Sequence, residues 1–284
     1  MSGHWKKLLR VNLSEGTSST ENLSEEFLRK YIGGAGIASR ILYDEVGVDV
    51  DPLSEDNKLI MSPGLLLGPK VPTGSKTAFC FKSPLTGGYG KSLVGGWIGA
   101  EIKKAGYDVL IVEGKAEKAS VLLIDDDKVK IEEADEIWGT DTHKAGEMIK
   151  DRYGKVRTAV IGPAGEKLSK ISIVECEERQ AARGGIGAVM GSKKLKGIAV
   201  KGSKDFPVHD KERLDELISI YRKETQEKGK TDMEYGSGEA LHPLNVEIGA
   251  FPVNNWEAGY FKEAYEKLED PEAGRIDIDP RKWT

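Results

Sequence analysis

The 284-residue chain is poor in the side chains that metal and nucleophile chemistry use most. It has two cysteines and four histidines. Cys80 and Cys176 lie far apart and lack metal-ligand spacing, so they read as buried apolar thiols in strands. His4, His143, His209 and His242 are scattered without a paired ligand and read as surface or core residues. Aromatic residues make up only 7% of the chain. No apolar run approaches membrane-spanning length, and the N-terminal stretch through Lys7 lacks the apolar region of a signal peptide. The expectation is a cytoplasmic, reduced setting with no membrane contact. Positive charge is not in excess either. The formal net charge of −5 argues against a nucleic-acid partner. The hydrophobic share of 38% and charged share of 31% suit a soluble globular chain with a sizeable core.

Glycine is abundant, at 34 residues, and it clusters at 33–36, 87–99 and 184–191. The most informative cluster is Arg179-Gln180-Ala181-Ala182-Arg183-Gly184-Gly185-Ile186-Gly187. It leads into a helix expected at 188–195 and an apolar strand at 197–200. Glycines at a loop-to-helix junction let backbone N–H groups approach an anion, and arginine grips phosphate with a planar fork. A second stretch has the same design. Gly95-Gly96-Trp97-Ile98-Gly99-Ala100 opens a helix, leads to a strand at 109–112, and closes on Glu113-Gly114-Lys115. Aligning Ile98 with Ile186 pairs Gly99 with Gly187, Ala100 with Ala188, Val112 with Val200 and Gly114 with Gly202 without a gap. The pattern predicts a duplicated loop–helix–strand unit with two anion-binding turns.

Along the chain, strands are expected at 7–13, 58–61, 77–82, 120–124, 128–131, 157–161 and 172–175. Helices are expected at 25–32, 36–46, 142–153 and 214–228, the first capped by Ser24 with Glu25 and Glu26 in its first turn. Asp125-Asp126-Asp127 reads as a solvated hairpin turn, with cation binding the rarer alternative. Glu175, Glu177 and Glu178 either orient the neighbouring arginines or form a solvated charge run. Some strands follow one another directly, so the fold class is α+β with mixed sheets rather than a strict parallel alternation. Composition shifts after Gly202, which sets a boundary between residues 1–205 and 206–284. The second part (with Trp256, Tyr260, Phe261 and Tyr265 interleaved) has too little apolar periodicity for a self-sufficient domain.

Ordered motifs run through the first part. They are Trp5 to Ser14, Asp51-Pro52-Leu53-Ser54, Pro72-Thr73-Gly74, Lys82-Ser83-Pro84-Leu85-Thr86-Gly87, Ala105-Gly106-Tyr107-Asp108, Val112 to Glu117, Ile161-Gly162-Pro163-Ala164-Gly165-Glu166 and Arg183 to Lys193. Tyr235-Gly236 and Pro252-Val253-Asn254-Asn255-Trp256 extend them more weakly. Together they resemble the N-terminal part of the tungsten-containing aldehyde:ferredoxin oxidoreductases. The resemblance implies a pseudo-symmetric domain of two halves, each covering one pterin of a tungstopterin, a bis-molybdopterin carrying tungsten or molybdenum. It implies a magnesium ion held by the backbone carbonyls of Leu93 and Gln180. Cofactor contacts fall on Lys76, Leu93, Gly95, Gly96, Arg179, Gln180, Ala182, Arg183 and Gly184. No catalytic residue is assigned within the chain.

Two positions depart from the family pattern. Leu93 stands where an asparagine is common, which keeps a carbonyl but no side-chain hydrogen bond. Lys76 stands where arginine is frequent, which replaces a bidentate grip by a point charge. The family also binds a four-iron four-sulfur cluster through cysteines that Cys80 and Cys176 do not match. Residues 206–284 therefore read as the incomplete start of a helical domain. The implied whole reaction is aldehyde plus water to carboxylic acid, with electrons passed to ferredoxin or another low-potential redox protein. The chain alone is expected to be inactive, its missing domains supplied by extension or by a partner subunit, with a homo-oligomer possible. Two alternatives stay open: a non-catalytic fragment or pterin-binding partner subunit, and the tungsten subunit of a related reductase acting on aromatic thioesters. A dinucleotide fold is disfavoured, because no acidic residue follows either glycine turn at the required distance.

Overall fold

The computed structural model describes residues 3–69, 71–229, 236, 243–263, 269–270 and 275–276. The chain divides into two compact units, Met1–Lys211 and Glu212–Thr284.

The first unit is built twice over. Its first half contains β1 (Lys7–Asn12), β2 (Thr17–Asn22), α1 (Glu25–Tyr31), α2 (Ala35–Glu45), β3 (Leu59–Pro63), β4 (Thr77–Lys82), β5 (Tyr89–Val94), α3 (Ile98–Lys104) and β6 (Val109–Glu113). Its second half contains β7 (Ser120–Asp125), β8 (Lys128–Glu133), α4 (Thr142–Tyr153), β9 (Arg157–Val160), α5 (Pro163–Glu166), β10 (Val174–Cys176), β11 (Arg179–Ala181), α6 (Ile186–Ser192) and β12 (Leu195–Lys201). One six-stranded sheet runs β2-β1-β6-β3-β4-β5, and the other, taken from the same end, runs β8-β7-β12-β9-β10-β11. The pairings match step for step: antiparallel, parallel, then three antiparallel. The repeat seen in the sequence at α3–β6 and α6–β12 therefore extends to all six strands of each half, while the covering helices differ.

Period-two alternation assigns the faces. Leu9, Val11, Leu59, Met61, Phe79, Phe81, Leu110 and Val112 of the first sheet share one core with Leu122, Ile124, Ala159, Val174, Ile198 and Val200 of the second. Ile98 and Ile102 of α3 and Ile186, Val189 and Met190 of α6 complete that core. The opposite face of the first sheet is covered by α1 and α2 through Leu28, Ile37, Ile41 and Leu42. The opposite face of the second is covered by α4 through Ala145 and Ile149. Local capping sets the helix starts. Ser24 accepts from the Phe27 N–H at 3.1 Å, and Asp141 accepts from the Lys144 N–H at 2.9 Å.

The halves are stitched reciprocally. The C-terminal end of α6 reaches the end of β6, where Lys193 Nζ donates to the Gly114 carbonyl at 3.0 Å and to the Glu55 carbonyl at 3.1 Å. The C-terminal end of α3 reaches the end of β12, where the Lys204 N–H donates to the Lys104 carbonyl at 3.0 Å. A methyl group at Gly202 would stand 2.2 Å from the Ala105 nitrogen. Burial pushes the Lys193 ammonium down to about 8.

Several sequence-based expectations change. Helix α6 spans 186–192 rather than 188–195, and β12 begins at Leu195. Strands β2, β5 and β11 are additional. The three aspartates form the β7–β8 turn, and they pin the chain that leaves β12. Asp126 accepts from the Ser203 N–H and hydroxyl at 2.8 and 2.6 Å, and Asp127 pairs with Lys204 at 2.8 Å. Among the described residues no group of acidic, His or Cys side chains is placed to hold a metal, and no helix is long and apolar enough to cross a membrane. Both cysteines are buried; desolvation in the shared core pushes the Cys176 thiol far up.

In the second unit, α7 (Lys211–Lys228) buries Ile218. A π-helical turn at Pro243–Glu247 places Asn245, whose amide clamps the Phe261 backbone at 2.6 and 3.1 Å. A short pair, β13 (Glu269–Asp270) and β14 (Arg275–Ile276), follows. His242, Tyr235, Tyr265 and the terminal Arg281 to Thr284 lie outside the described residues.

Candidate functional site

Anchored on the aligned residues Ile111 and Ala199, the matched ladders carry the equivalence between the halves out to the sheet edges. Ile60 faces Ile111 in the first half, and Thr158 faces Ala199 in the second. Two residues along, Ser62 faces Ala78 and Val160 faces Glu175. Ala78 in turn faces Leu93, and Glu175 faces Gln180. Leu93 and Gln180 are thus the same position of the repeated unit. From there to the helix starts at Ile98 and Ile186 the second turn is one residue longer.

Both residues lie on the last strand of their sheet, and these two edge strands neighbour each other. Antiparallel pairs alternate between bonded and non-bonded. The Ser83 N–H donates to the Gly88 carbonyl at 2.8 Å, which makes that pair bonded and the Ala78–Leu93 pair non-bonded. The N–H and carbonyl of Leu93 therefore point off the free edge. In the two-residue hairpin Cys176–Arg179 the closing pair is bonded, so Gln180 is again the residue whose carbonyl points off the edge.

The turns beyond these strands each dock on the other half. A methyl group at Gly96 (φ 89°) would stand 3.5 Å from Arg179 Cγ and 3.9 Å from the Cys176 carbonyl. In return, Ser83 Oγ donates to the Gly184 carbonyl at 2.8 Å, and a methyl group at Gly184 would stand 3.2 Å from the Phe81 ring. So each glycine turn sits against the opposite half's β4–β5 or β10–β11 hairpin.

The glycines divide by what crowds them. A methyl group at Gly185 would lie 2.4 Å from the Lys170 carbonyl, at Gly187 2.6 Å from the Ile173 carbonyl, and at Gly191 2.0 Å from the Gly165 carbonyl. Those glycines serve close backbone packing, which corrects the reading of the whole second run as a ligand-approach loop. Gly95 is different. Its φ is ordinary, and a methyl group there would meet nothing nearer than Lys76 Nζ and Ser75 Oγ, both at 3.9 Å. The protein itself does not require glycine at 95.

Lys76 lies beside Gly95, and the Arg179 stem lies beside Gly96. Lys76, Arg179 and Arg183 are exposed, and among the described residues none of them has a carboxylate partner. Ala182, Arg183 and Gly184 follow β11 in the second turn, where no hydrogen bond or ion pair among the described residues joins Ala182 or Arg183 to another candidate. The three glutamates do not orient the arginines. Glu177 holds Arg157 at 3.0 and 3.1 Å and Lys150 at 3.2 Å, and Glu175 accepts from Thr142 Oγ1 at 2.6 Å. Ser83, Trp97 and Arg157 were not singled out as site residues by sequence; Ser83 and Trp97 lay in noted motifs, and Arg157 only in an expected strand.

Unpaired cations around an open glycine turn, with free carbonyls beside them, offer donors to a phosphate and hard oxygens to a divalent cation. This chemistry suits a phosphate-bearing ligand, and the first unit presents it on two register-equivalent edges. Residues 8–202 match the family model for the aldehyde ferredoxin oxidoreductase N-terminal domain, and the chain belongs to that family. It is 42% identical over 274 residues to the tungsten-containing aldehyde ferredoxin oxidoreductase of Pyrococcus furiosus, covering 94% of this chain and 45% of the relative. It is 32% identical over 298 residues to the aliphatic sulfonate oxidoreductase WOR-like subunit of the same organism, covering 98% and 46%. Among solved structures, the active-site complex BamBC of benzoyl coenzyme A reductase with 1,5-dienoyl-CoA superposes with a TM-score of 0.74 at 30% identity. That match covers 95% of this chain and 39% of the other. The chain spans less than half the length of the curated relatives it matches.

Proposed function

We propose that the first unit holds a bis-pterin tungsten cofactor for an aldehyde-oxidising protein. The observation that carries this is the open Gly95 turn, with Lys76 and Arg179 unpaired beside it and two register-equivalent carbonyls, Leu93 and Gln180, facing off adjoining edges. In this reading Lys76, Arg179 and Arg183 neutralise the pterin phosphates. Backbone N–H groups of the Gly95–Gly96 and Ala182–Gly184 turns supply the remaining donors. The Leu93 and Gln180 carbonyls supply oxygens to magnesium. The bound cofactor supplies two-electron oxidation of an aldehyde carbon, with water as oxygen source and ferredoxin as electron acceptor. The chain's own part is to orient and screen that cofactor. In this reading, protons at the substrate are moved, and a four-iron cluster is ligated, by residues other than those named here.

Expression in a host that makes the pterin, with tungstate supplied, tests the reading. Tungsten or molybdenum with two pterins per chain is expected in the purified protein or its complex. Absence of both metals and of pterin would overturn it. Reduction of an aromatic thioester remains the second reading, favoured by the structural match to benzoyl coenzyme A reductase. Assay of the assembled protein with aldehyde against aromatic thioester separates the two.

A further inference from the structure

The two turns are tethered to their opposite halves by different devices, and one of them has no role in the reading above. In the second turn the tether is the Ser83 hydroxyl on the Gly184 carbonyl at 2.8 Å. In the first turn it is Trp97, which directly follows Gly95-Gly96. The Arg157 guanidinium lies over the Trp97 ring at 5.6 Å from its centroid. Arg157 is in turn fixed by both oxygens of Glu177 at 3.0 and 3.1 Å. Glu177 sits at φ 60° in the hairpin turn that delivers Arg179 and Gln180 into β11. A continuous line therefore runs from the first glycine turn, through Trp97, Arg157 and Glu177, to the strand that carries the second carbonyl.

Trp97 is 62% exposed. The ring stays outside the buried core, and the cation over its face is a specific contact to the opposite half. The ladder equivalence sets Leu59 in the place of Arg157, and the alignment of Ile98 with Ile186 sets Gly185 in the place of Trp97, so the other half has neither member. The device breaks the pseudo-symmetry at the one turn whose glycine the protein itself leaves open.

We infer that Trp97 and Arg157 form a positioning pair, which sets the distance between the Gly95–Gly96 turn and the β10–β11 hairpin and so fixes the spacing of the Leu93 and Gln180 carbonyls. Neither residue is a catalytic group; each acts through the turns it holds. The inference rests on the proposed cofactor site for its consequence, but not for its geometry.

The test has two arms on the full chain. In the first, amide hydrogen exchange is followed by mass spectrometry on cofactor-free protein. Trp97→Leu and Arg157→Gln are each expected to speed exchange about five-fold in peptides covering 89–98 and 176–186. Trp97→Phe, which keeps a ring face for the cation, is expected to stay within about two-fold of the parent. The double substitution is expected to match either single one, because one contact is lost in all three. In the second arm, pterin retained after gel filtration is expected to fall about five-fold in Trp97→Leu and to recover in Trp97→Phe. Unchanged exchange in Trp97→Leu, or additive effects in the double variant, overturns the pair. Coupled exchange with no pterin in the parent protein keeps the pair and overturns the cofactor reading. Altered exchange with unaltered pterin retention overturns the claim that the pair serves the site.

Discussion

Gly95→Ala separates a glycine needed by the fold from one needed by a ligand. At this position φ is ordinary, and the nearest atoms to an added methyl are Lys76 Nζ and Ser75 Oγ at 3.9 Å. The substitution removes backbone freedom from the unfolded chain without adding strain to the native one. The expected change in the cofactor-free protein is therefore a gain of about 0.5 kcal/mol, with Tm within about 2 °C of the parent. The effect on a bound phosphate has the opposite sign. A phosphate oxygen hydrogen-bonded to backbone sits about 2.9 Å from the nitrogen, and a carbon beside it must stand off at about 3.5 Å. Losing one or two charge-assisted hydrogen bonds costs about 2–4 kcal/mol, or roughly 30- to 1,000-fold in affinity. The assay is thermal unfolding of cofactor-free protein beside fluorimetric pterin and elemental tungsten per chain. Gly99→Ala is the control, since its methyl would lie 2.0 Å from Thr77 Oγ1 and is expected to cost about 1–3 kcal/mol whether or not cofactor is present. A folded Gly95→Ala protein with full pterin content refutes the reasoning, and so does one that fails to fold.

Other substitutions probe the remaining parts. Lys76→Gln and Arg179→Gln remove exposed, unpaired cations, so stability should hold within about 0.5 kcal/mol while retained pterin falls roughly ten-fold, read by the same two assays. Lys193 carries a pH signature. Its ammonium is pushed down by burial to about 8, so between that value and the ordinary 10.5 the unfolded chain holds the extra proton and stability rises with pH. Urea unfolding of the parent minus Lys193→Met, compared at pH 7 and pH 10.5, should show a swing of about 3 kcal/mol; a flat difference would contradict the burial argument. Lys196 and Glu166 form a buried pair at 2.5 Å, with Glu166 also accepting from the Gly139 N–H at 2.9 Å. Glu166→Ala should lower urea-measured stability by about 3–5 kcal/mol.

Much of the fold is legible in the sequence because its central strands and helices carry plain signals. Thr77–Lys82 and Thr142–Tyr153 have the bounds that apolar runs and caps suggest, and Ser24 caps where expected. The strands that stayed hidden lie at sheet edges. The strand Thr17–Asn22 is polar throughout because it is the exposed outer arm of a hairpin. The strand Tyr89–Val94 inverts the usual code. Its buried positions are Gly90, Ser92 and Val94, while Tyr89, Lys91 and Leu93 are exposed. The Phe81 ring fills the space beside Gly90, where a methyl group would stand only 2.7 Å away. The three-residue strand Arg179–Ala181 is too short for any periodicity. These two hidden edges carry Leu93 and Gln180. Their equivalence is a fact of ladder register, which spans residues too distant in sequence for local pattern to join. The packing role of Gly185, Gly187 and Gly191 was hidden for the same reason, since the carbonyls that crowd them come from α5 and the segment before β10.

The strand order also dictates when each half can fold. In both sheets the last strand made is an interior one: Val109–Glu113 slots between Lys7–Asn12 and Leu59–Pro63, and Leu195–Lys201 slots between Ser120–Asp125 and Arg157–Val160. A nascent chain that stops short of residue 109 holds one hairpin and one three-stranded meander with no strand to join them. Each half is a lock whose bolt is the final strand, and closure must wait for contacts spanning most of the half's length. Such non-local pairing slows folding, so growing chains expose unfilled sheet gaps until each half is complete.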